Sequence, residues 1–303
     1  MTPVAGNPDS PSLVKSIVVV GGTHGNEYTG VWVTKALDRK IQKAAQPLYQ
    51  TFQLSTILGN PQAHLLNKRF VDQDLNRQFS HKALHRSETG RHDDETSPSR
   101  PQRQRQRQPV EVQRAAELNQ ILGPKFPYEE NQDDSCSSSS SSSSSPRTDL
   151  LIDLHSTTTN MGTTLIVAAG DPLTTKAAAY VMLKCKDNPN SHGKISVLMH
   201  THKNQEQRPH LSSIAPHCFS IEAGPVPTGV LRHDIVENTQ LALEAALEFI
   251  DRHNIEPEQV DQELKDAFPS GVLPCYVSAP SQRKGEISSK ISWPSDPDNP
   301  NFP

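Results

Sequence analysis

Apolar and polar positions along this chain alternate with the periods of strands and helices in turn. Residues 17–20 are a β-branched run, which predicts a strand buried on both faces. Gly21 and Gly22 end the run, and apolar residues at helical spacing then predict a helix across residues 29–45. The same signals predict further strands at 51–58, 150–155, 165–167, 195–199 and 217–223, and further helices at 110–122, 172–186 and 234–252. This order predicts an α/β fold in which helices flank a mixed sheet.

Two polar segments interrupt the pattern, and we expect both to be disordered inserts. Residues from about 86 to 109 are rich in Arg, Gln, Asp and Pro, and residues from about 131 to 147 contain nine consecutive serines. We expect residues 1–15 to form a flexible leader and residues 16–256 to form the main domain. Residues 257–303 are Pro-rich with one or two short strands, which predicts a short C-terminal β appendage that resembles part of a truncated domain.

Composition and charge argue against several classes of function. The 303 residues carry a net charge of −4, so nothing indicates binding to nucleic acid or to an anionic membrane. No apolar run approaches the roughly 20 residues needed to span a bilayer, and the N-terminus lacks the basic and apolar regions of a secretion signal. The four cysteines are scattered without CxxC spacing, which argues against a cysteine zinc site and fits a cytoplasmic protein.

Three residues that follow or end strands have the chemistry of a zinc site. His24 and Glu27 lie three residues apart on the turn between the first strand and its helix, where open α/β sheets place their ligands. His155 ends a second apolar strand, so it can converge with them on one edge of the sheet. Three protein ligands leave a fourth position for water, which is the pattern of catalytic zinc.

Two further carboxylates belong to the same region of the predicted sheet. Asp153 precedes His155 by two residues and shares its face of the strand. We expect Asp153 to accept a hydrogen bond from the far ring nitrogen of a ligand imidazole, that of His24. Glu222 ends the strand 217–223, and a carboxylate beside zinc can take a proton from water and pass it to a leaving amine.

The motif KRFVDQDLNR contributes polar groups that suit an anionic substrate. It contains Arg69, Asn76 and Arg77. A fixed guanidinium can polarise a scissile carbonyl or clamp a carboxylate with two hydrogen bonds. Each of these residues also has a common structural interpretation, such as an ordinary salt bridge. Histidines without a comparable setting are expected at the surface: His64, His81, His85, His200, His202 and His210.

Five segments together make the chain similar to the aspartoacylase family, within the aspartoacylase and succinylglutamate desuccinylase group of zinc carboxypeptidase-like hydrolases. They are GGTHGNE (21–27), RFVDQDLNR (69–77), LGPK (122–125), DLHSTTTNMG (153–162) and IEAGPVPTGVLRHDI (221–235). They follow the family's order and cover most of residues 16–252. Both expected inserts fall between these motifs, where a loop lengthens at little entropic cost.

The resemblance implies a zinc-carboxypeptidase-like hydrolase that binds one Zn²⁺ per subunit. The implied activity is hydrolysis of N-acetyl-L-aspartate to acetate and L-aspartate, so the expected partner is a small anionic N-acyl amino acid. A homodimer is left open. The implied roles are zinc binding by His24, Glu27 and His155, catalysis by Glu222 and Arg69, and substrate binding by Arg69, Asn76, Arg77 and Glu222.

The chain departs from the family pattern in two places. The family has another arginine about ten residues before the base, for the second carboxylate of the substrate. Here Ser212 occupies that spacing, and the nearest arginine is Arg208. The family also continues for a length of β structure that contains a substrate-binding tyrosine, and Tyr276 does not align with it.

Three alternatives to N-acetylaspartate hydrolysis stay open. Ser212 favours deacylation of other N-acyl amino acids, such as neutral, aromatic or succinylated ones. The short C-terminus and the inserts favour a non-catalytic zinc-binding homologue, whereas the complete set of ligands, base and arginines opposes it. The Arg/Gln tract at residues 100–109 would serve an RNA- or partner-binding protein, which predicts that deletion of residues 88–108 removes the main function.

Overall fold

The computed structural model describes residues 13–89, 107–126, 147–200 and 205–277, apart from residues 187, 190 and 192. Within these residues the strands are β1 Ser16–Gly21, β2 Gln53–Leu58, β3 Leu150–Ser156, β4 Gly162–Ala168, β5 Ile195–His200, β6 His217–Gly224 and β7 Tyr276–Val277. The helices are α1 Tyr28–Lys43, α2 Pro61–Leu65, α3 His81–Thr89, α4 Val110–Leu122, α5 Pro172–Lys186, α6 His233–Ile255 and α7 Pro257–Ala267. Short 3₁₀ turns occur at Leu75–Arg77, Gln205–Gln207 and Leu211–Ile214.

The described strands form one mixed sheet in the order β2-β1-β3-β6-β4-β5-β7. Neighbouring strands are parallel except for β4 and β6, which are antiparallel. The strands β1, β3 and β6 therefore end at the same edge of the sheet. Because parallel strands place their carboxyl ends together, residues that follow these three strands are brought to one place.

Alternate residues of the central strands face two different cores. Ile17 and Val19 pack in a large core with residues of α1, α5, α6 and α7, whereas Val18 and Val20 pack in a second core with α3 and α4. Such strands are buried on both faces, which is why their sequences are continuously apolar. The predicted α/β fold with a mixed sheet flanked by helices is therefore confirmed.

Three described helices, α2, α3 and α7, were not predicted, and parts of the expected inserts lie outside the described residues. Val260 and Leu264 anchor α7 in the same core as α6. Of the first expected insert, residues 86–89 belong to α3 and residues 90–106 lie outside the described part. Residues 1–12, 127–146 and 278–303 also lie outside it. Of the expected C-terminal β appendage, residues 257–267 form α7 rather than a strand, and residues 276–277 form β7. The division of the chain into leader, main domain, inserts and appendage stays a prediction.

The described helices were also compared with the length and hydropathy needed to cross a bilayer. None of them, within the described residues, is long and apolar enough to do so.

Candidate metal centre and substrate cavity

Two histidines and a glutamate meet at the shared edge of the sheet. His24 lies in the turn after β1, Glu27 immediately precedes α1, and His155 is near the end of β3. All three are buried, and they offer ligand atoms that lie within 4.8 Å of one another. Nδ1 of His24 lies 2.6 Å from Oε1 of Glu27, and Nδ1 of His155 lies 3.0 Å from Oε2 of Glu27. The carboxylate therefore sits between the two imidazoles.

Two glycines allow this convergence. Gly22 has a φ of +69°, in the left-handed region that favours glycine, and it turns the chain out of β1. Gly30 brings the first turn of α1 against β3, and a Cβ there would lie 2.4 Å from the carbonyl oxygen of Leu154. Any larger side chain at position 30 would push α1, and Glu27 with it, away from His155.

The outer ring nitrogen of each histidine faces a second carboxylate. Nε2 of His24 lies 3.0 Å from Oδ1 of Asp74, and Nε2 of His155 lies 2.8 Å from Oδ2 of Asp153. Thr23 Oγ1 donates to Asp153 Oδ1 at 2.8 Å and holds that carboxylate in place. Both ring nitrogens of each histidine therefore face a carboxylate, and each ring can donate from both. A metal bound between Glu27 and the two Nδ1 atoms would take the place of the Nδ1 protons, whereas the Nε2 protons would stay with Asp74 and Asp153.

The expected partner of Asp153 was wrong. Asp153 accepts from His155, its neighbour on the same face of β3, and Asp74 takes the expected place beside His24. Asp74 was missed because it lies in the DLNR turn, 50 residues from the imidazole that it contacts. The sequence gives one signal for Asp74: it is a carboxylate in the same motif as Arg69 and Arg77, which line the cavity.

The donor set fits zinc. Two imidazole nitrogens and one carboxylate are a common set for catalytic Zn²⁺, and the carboxylates behind both rings are the usual supports of such ligands. Burial opposes ionisation of Glu27, but the nearby His155 and His24 hold its pKa far below the ordinary value. Burial likewise opposes protonation of His155, yet Asp153 and Glu27 raise its pKa well above the ordinary value. Binding a metal therefore displaces protons from the imidazoles.

Glu222 faces the same site from the neighbouring strand. In the parallel pair β3/β6 it is directly opposite His155, so the two side chains lie on one face with strands about 5 Å apart. Burial raises the pKa of Glu222 above its ordinary value, with His155 acting against this and Glu27 adding to it. A carboxylate with a raised pKa can both accept and return a proton near neutral pH.

The residues predicted from KRFVDQDLNR lie beside the ligands. Arg69 donates from Nη1 to Glu27 at 3.1 Å and is about half exposed. Arg77 donates to the carbonyl of Asn76 at 2.8 Å and to Nδ1 of His210 at 3.4 Å. Oδ1 of Asn76 accepts from the backbone N–H of Leu211 at 2.8 Å, which leaves its N–H₂ group as the part that can reach a substrate.

A single cavity of about 740 Å³ brings these groups together. Its volume lies within the usual range for small-molecule sites. Asp153 lies behind His155 and is not part of the wall. The predicted residues that line the cavity are His24, Glu27, Arg69, Asn76, Arg77, His155 and Glu222.

The far part of the cavity contains residues that were expected at the surface or were not singled out. The rings of His200 and His210 stack with centroids 6.0 Å apart, and both line the wall with Arg208. Burial, Arg77 and His200 lower the pKa of His210 to about 4, so its ring is neutral at pH 7 and accepts from Arg77. His200 and His210 were missed because the 3₁₀ turn Leu211–Ile214 packs against β3 and β6, a long-range contact that no local pattern reveals.

Comparisons with known proteins agree with this site. The profile of the succinylglutamate desuccinylase/aspartoacylase catalytic domain matches residues 14–132 and 123–250. The chain is 31% identical to an N-acyl-aromatic-L-amino acid amidohydrolase (carboxylate-forming) of Xenopus laevis, over 94% of this chain and 82% of the relative. It is 30% identical to a probable aspartoacylase of Trichodesmium erythraeum, over 92% and 78% respectively.

A solved structure is also similar. The crystal structure of murine aminoacylase 3 matches with a TM-score of 0.60 and 28% identity, over 81% of this chain and 67% of the murine chain.

Proposed function

This chain belongs to the succinylglutamate desuccinylase/aspartoacylase catalytic family, and on that premise we propose that it is a zinc-dependent amidohydrolase that removes the acyl group from N-acyl amino acids. The observation that carries the proposal is one cavity onto which three possible zinc ligands, the partly buried carboxylate of Glu222 and three arginines all open. Relatives named for acidic and for aromatic substrates both belong to this family. Deacylation of N-acyl amino acids is therefore the activity that they support in common.

The residues of the cavity divide the reaction between them. Zn²⁺ held by His24, Glu27 and His155 would supply Lewis acidity at the acyl carbonyl and toward water. Glu222 takes a proton from the attacking water as the new C–O bond forms, and it returns that proton to the nitrogen as the C–N bond breaks. Arg69 stabilises the negative charge that develops on the acyl oxygen. The products are a free amino acid and a carboxylate.

Substrate binding falls to the other polar groups of the cavity. Arg77 binds the α-carboxylate with its guanidinium, assisted by the N–H₂ group of Asn76. The shorter hydrogen bond of Arg77, to the carbonyl of Asn76 at 2.8 Å, sets the orientation of its guanidinium, and His210 accepts only a longer one at 3.4 Å. We assign N-acetyl-L-aspartate as the first candidate substrate, because Arg208 places a further cation on the far wall of the cavity.

A second candidate substrate class has its own observation. The stacked rings of His200 and His210, with Ile166 and Leu198 on the sheet face nearby, form a flat and partly apolar wall. Such a wall suits an aromatic side chain. N-acyl-aromatic amino acids are therefore the alternative to N-acetyl-L-aspartate.

An assay of free amino acid release on the purified full chain tests the proposal. We expect turnover that is lost on chelation, restored by Zn²⁺, and reduced at least about a hundredfold by Glu222→Gln, as is typical for loss of a general base. Comparing kcat/KM for N-acetyl-L-aspartate, N-acetyl-L-phenylalanine and N-succinyl-L-glutamate then ranks the substrate classes. Absence of turnover on all three substrates with Zn²⁺ bound would instead identify a non-catalytic homologue.

A further inference from the structure

One wall of the cavity is a segment that no regular strand or long helix supports. Residues 208–214, here called the wall segment, contain the 3₁₀ turn Leu211–Ile214. Arg208, His210 and Ser212 of this segment line the cavity opposite the zinc ligands. The position of these side chains depends on what holds the segment from behind.

Lys125 is the side chain that holds the wall segment at both ends. Its Nζ donates to the carbonyl oxygen of Arg208 at 3.2 Å, to the carbonyl oxygen of Ser213 at 3.1 Å and to Oγ of Ser213 at 2.6 Å. An ammonium group has three N–H donors, so these three acceptors match it completely. Lys125 lies beyond the end of α4 and does not line the cavity.

The burial of this ammonium is costly. Lys125 is only 3% exposed, and each of its hydrogen bonds in the described residues goes to an uncharged oxygen. The ionisable groups that face it are Cys218 on β6, Arg208 on the wall segment and Glu206 on the preceding turn. Burial, the largest cause, lowers the pKa of Lys125 to about 7. An apolar side chain of similar length would fill this space at lower cost, so the ammonium serves its three acceptors.

We propose that Lys125 is a positioning residue that sets the wall segment, through its three hydrogen bonds, at the distance from which it contacts the side chain of the bound substrate. This rests on the proposed function. Lys125 touches neither the ligands nor Glu222, so its contribution reaches the reaction only through Arg208, His210 and Ser212. It therefore affects how substrates with different side chains are discriminated.

Other contacts of the wall segment do not depend on Lys125. They are Phe79 N–H to Pro209, Leu211 N–H to Asn76, Phe126 N–H to Ile214 and the Gln205 amide to Ser213. Loss of Lys125 thus leaves the segment folded but looser at its two ends. We expect an enzyme that binds zinc and is active, with reduced discrimination.

The test compares Lys125→Met with Lys43→Met, a matched change at an exposed position in the last turn of α1. Kinetics are measured on the zinc-loaded full chain with N-acetyl-L-aspartate, N-acetyl-L-phenylalanine and N-acetylglycine, which lacks a side chain. Of N-acetyl-L-aspartate and N-acetyl-L-phenylalanine, the one that the wild type hydrolyses with the higher kcat/KM is the reference substrate. On this substrate we expect Lys125→Met to lower kcat/KM about tenfold, mainly through a higher KM, which is equivalent to about 1.4 kcal/mol. N-acetylglycine should change by less than about twofold, and Lys43→Met should change nothing. Equal losses on substrates with and without a side chain, or no loss at all, overturn the proposal.

Hydrogen exchange gives a readout that is independent of activity. In Lys125→Met we expect faster exchange of the Arg208 and Ser213 amides, which lie at the two ends that Lys125 holds, with unchanged exchange in β1 and β3. Unchanged exchange in the wall segment overturns the positioning role. If the wild type hydrolyses none of the substrates, the proposed function fails while exchange still decides the role of Lys125. If Lys125→Met does not fold, Ser213→Ala is used instead, because it removes the acceptor that lies 2.6 Å from Lys125 Nζ. The same loss of kcat/KM on substrates with a side chain and the same faster exchange in the wall segment are then expected.

Discussion

Replacing Glu111 with Gln should destabilise the protein although the residue lies outside every predicted site. Glu111 is in the first turn of α4 and is fully buried. Its Oε1 accepts from the backbone of Val71 at 2.6 Å and from Asn60 Nδ2 at 3.0 Å. Its Oε2 accepts from the backbones of Asp72 at 3.0 Å and Gln73 at 3.1 Å. One carboxylate thus fixes the segment that joins Arg69 to Asp74.

The expected magnitude follows from this geometry. Glutamine keeps one oxygen and turns the other into an N–H₂ group, so two of the four donors lose their acceptor whichever way the amide points. Each buried unsatisfied donor costs about 1–3 kcal/mol, which gives about 2–6 kcal/mol for Glu111→Gln. Because native proteins are stable by about 5–15 kcal/mol, the variant should fold with a clearly lowered melting temperature.

The pH dependence of the effect identifies its cause. Burial acts to raise the pKa of Glu111, but hydrogen bonds from Val71, Asn60, Asp72 and Gln73 outweigh it and lower the pKa below the ordinary 4.5. A lowered folded-state pKa stabilises the protein above pH 4.5, and this stabilisation is lost as the pH falls through the folded value. The difference between wild type and Glu111→Gln should therefore narrow on acidification.

The assay is thermal or denaturant unfolding at pH 7 and at stepwise lower pH, with Glu117→Gln as the control. Glu117 lies on the same helix, is exposed, and pairs only with Arg114 in the described contacts. Its substitution should cost less than about 1 kcal/mol. Equal effects of the two substitutions at pH 7, or a Glu111→Gln effect that does not change with pH, would refute the reasoning.

Three further outcomes are expected from the contacts of the site. Asp74→Asn and Asp153→Asn should each weaken zinc binding about 10- to 100-fold, measured by competition with a chelating dye, because each carboxylate orients a ligand imidazole. Arg77→Lys should raise KM about tenfold with little change in kcat, since lysine cannot bind a carboxylate with two parallel hydrogen bonds; an unchanged KM contradicts its binding role. Because burial lowers the pKa of Lys125 to about 7, unfolding experiments should show wild type gaining stability relative to Lys125→Met as the pH rises from 7 toward 10.

The convergence of the candidate metal ligands could be predicted because their positions follow from local sequence. His24 and His155 come at the ends of two apolar strands that pair in parallel, so their convergence requires only that both strands belong to one sheet. Glu27 follows from His24 by spacing, and Glu222 ends a third strand of the same direction. The apolar pattern of each strand and the position at which it ends were sufficient to predict that these four residues lie close together.

What could not be predicted depends on contacts between distant segments. Asp74 reaches His24 only because the 69–77 loop folds over the β1 edge. His210 reaches the cavity only because the 3₁₀ turn that follows it packs against β3 and β6. Helix α7 was missed because only Val260 and Leu264 face the core, a pattern too short to separate from a polar linker. Burial created by tertiary packing leaves no periodic signal in the sequence.

Helix α4 connects the two loops that sequence patterns could not place. At its start Glu111 holds residues 71–73, and just beyond its end Lys125 holds the wall segment. A helix about 20 Å long, at 1.5 Å per residue, thus holds two segments that contribute to the cavity, one through a buried acidic side chain and the other through a buried basic one. Glu111 and Lys125 both bind backbone groups of these segments. They therefore influence the positions of Arg69 and Arg208 without contacting the substrate.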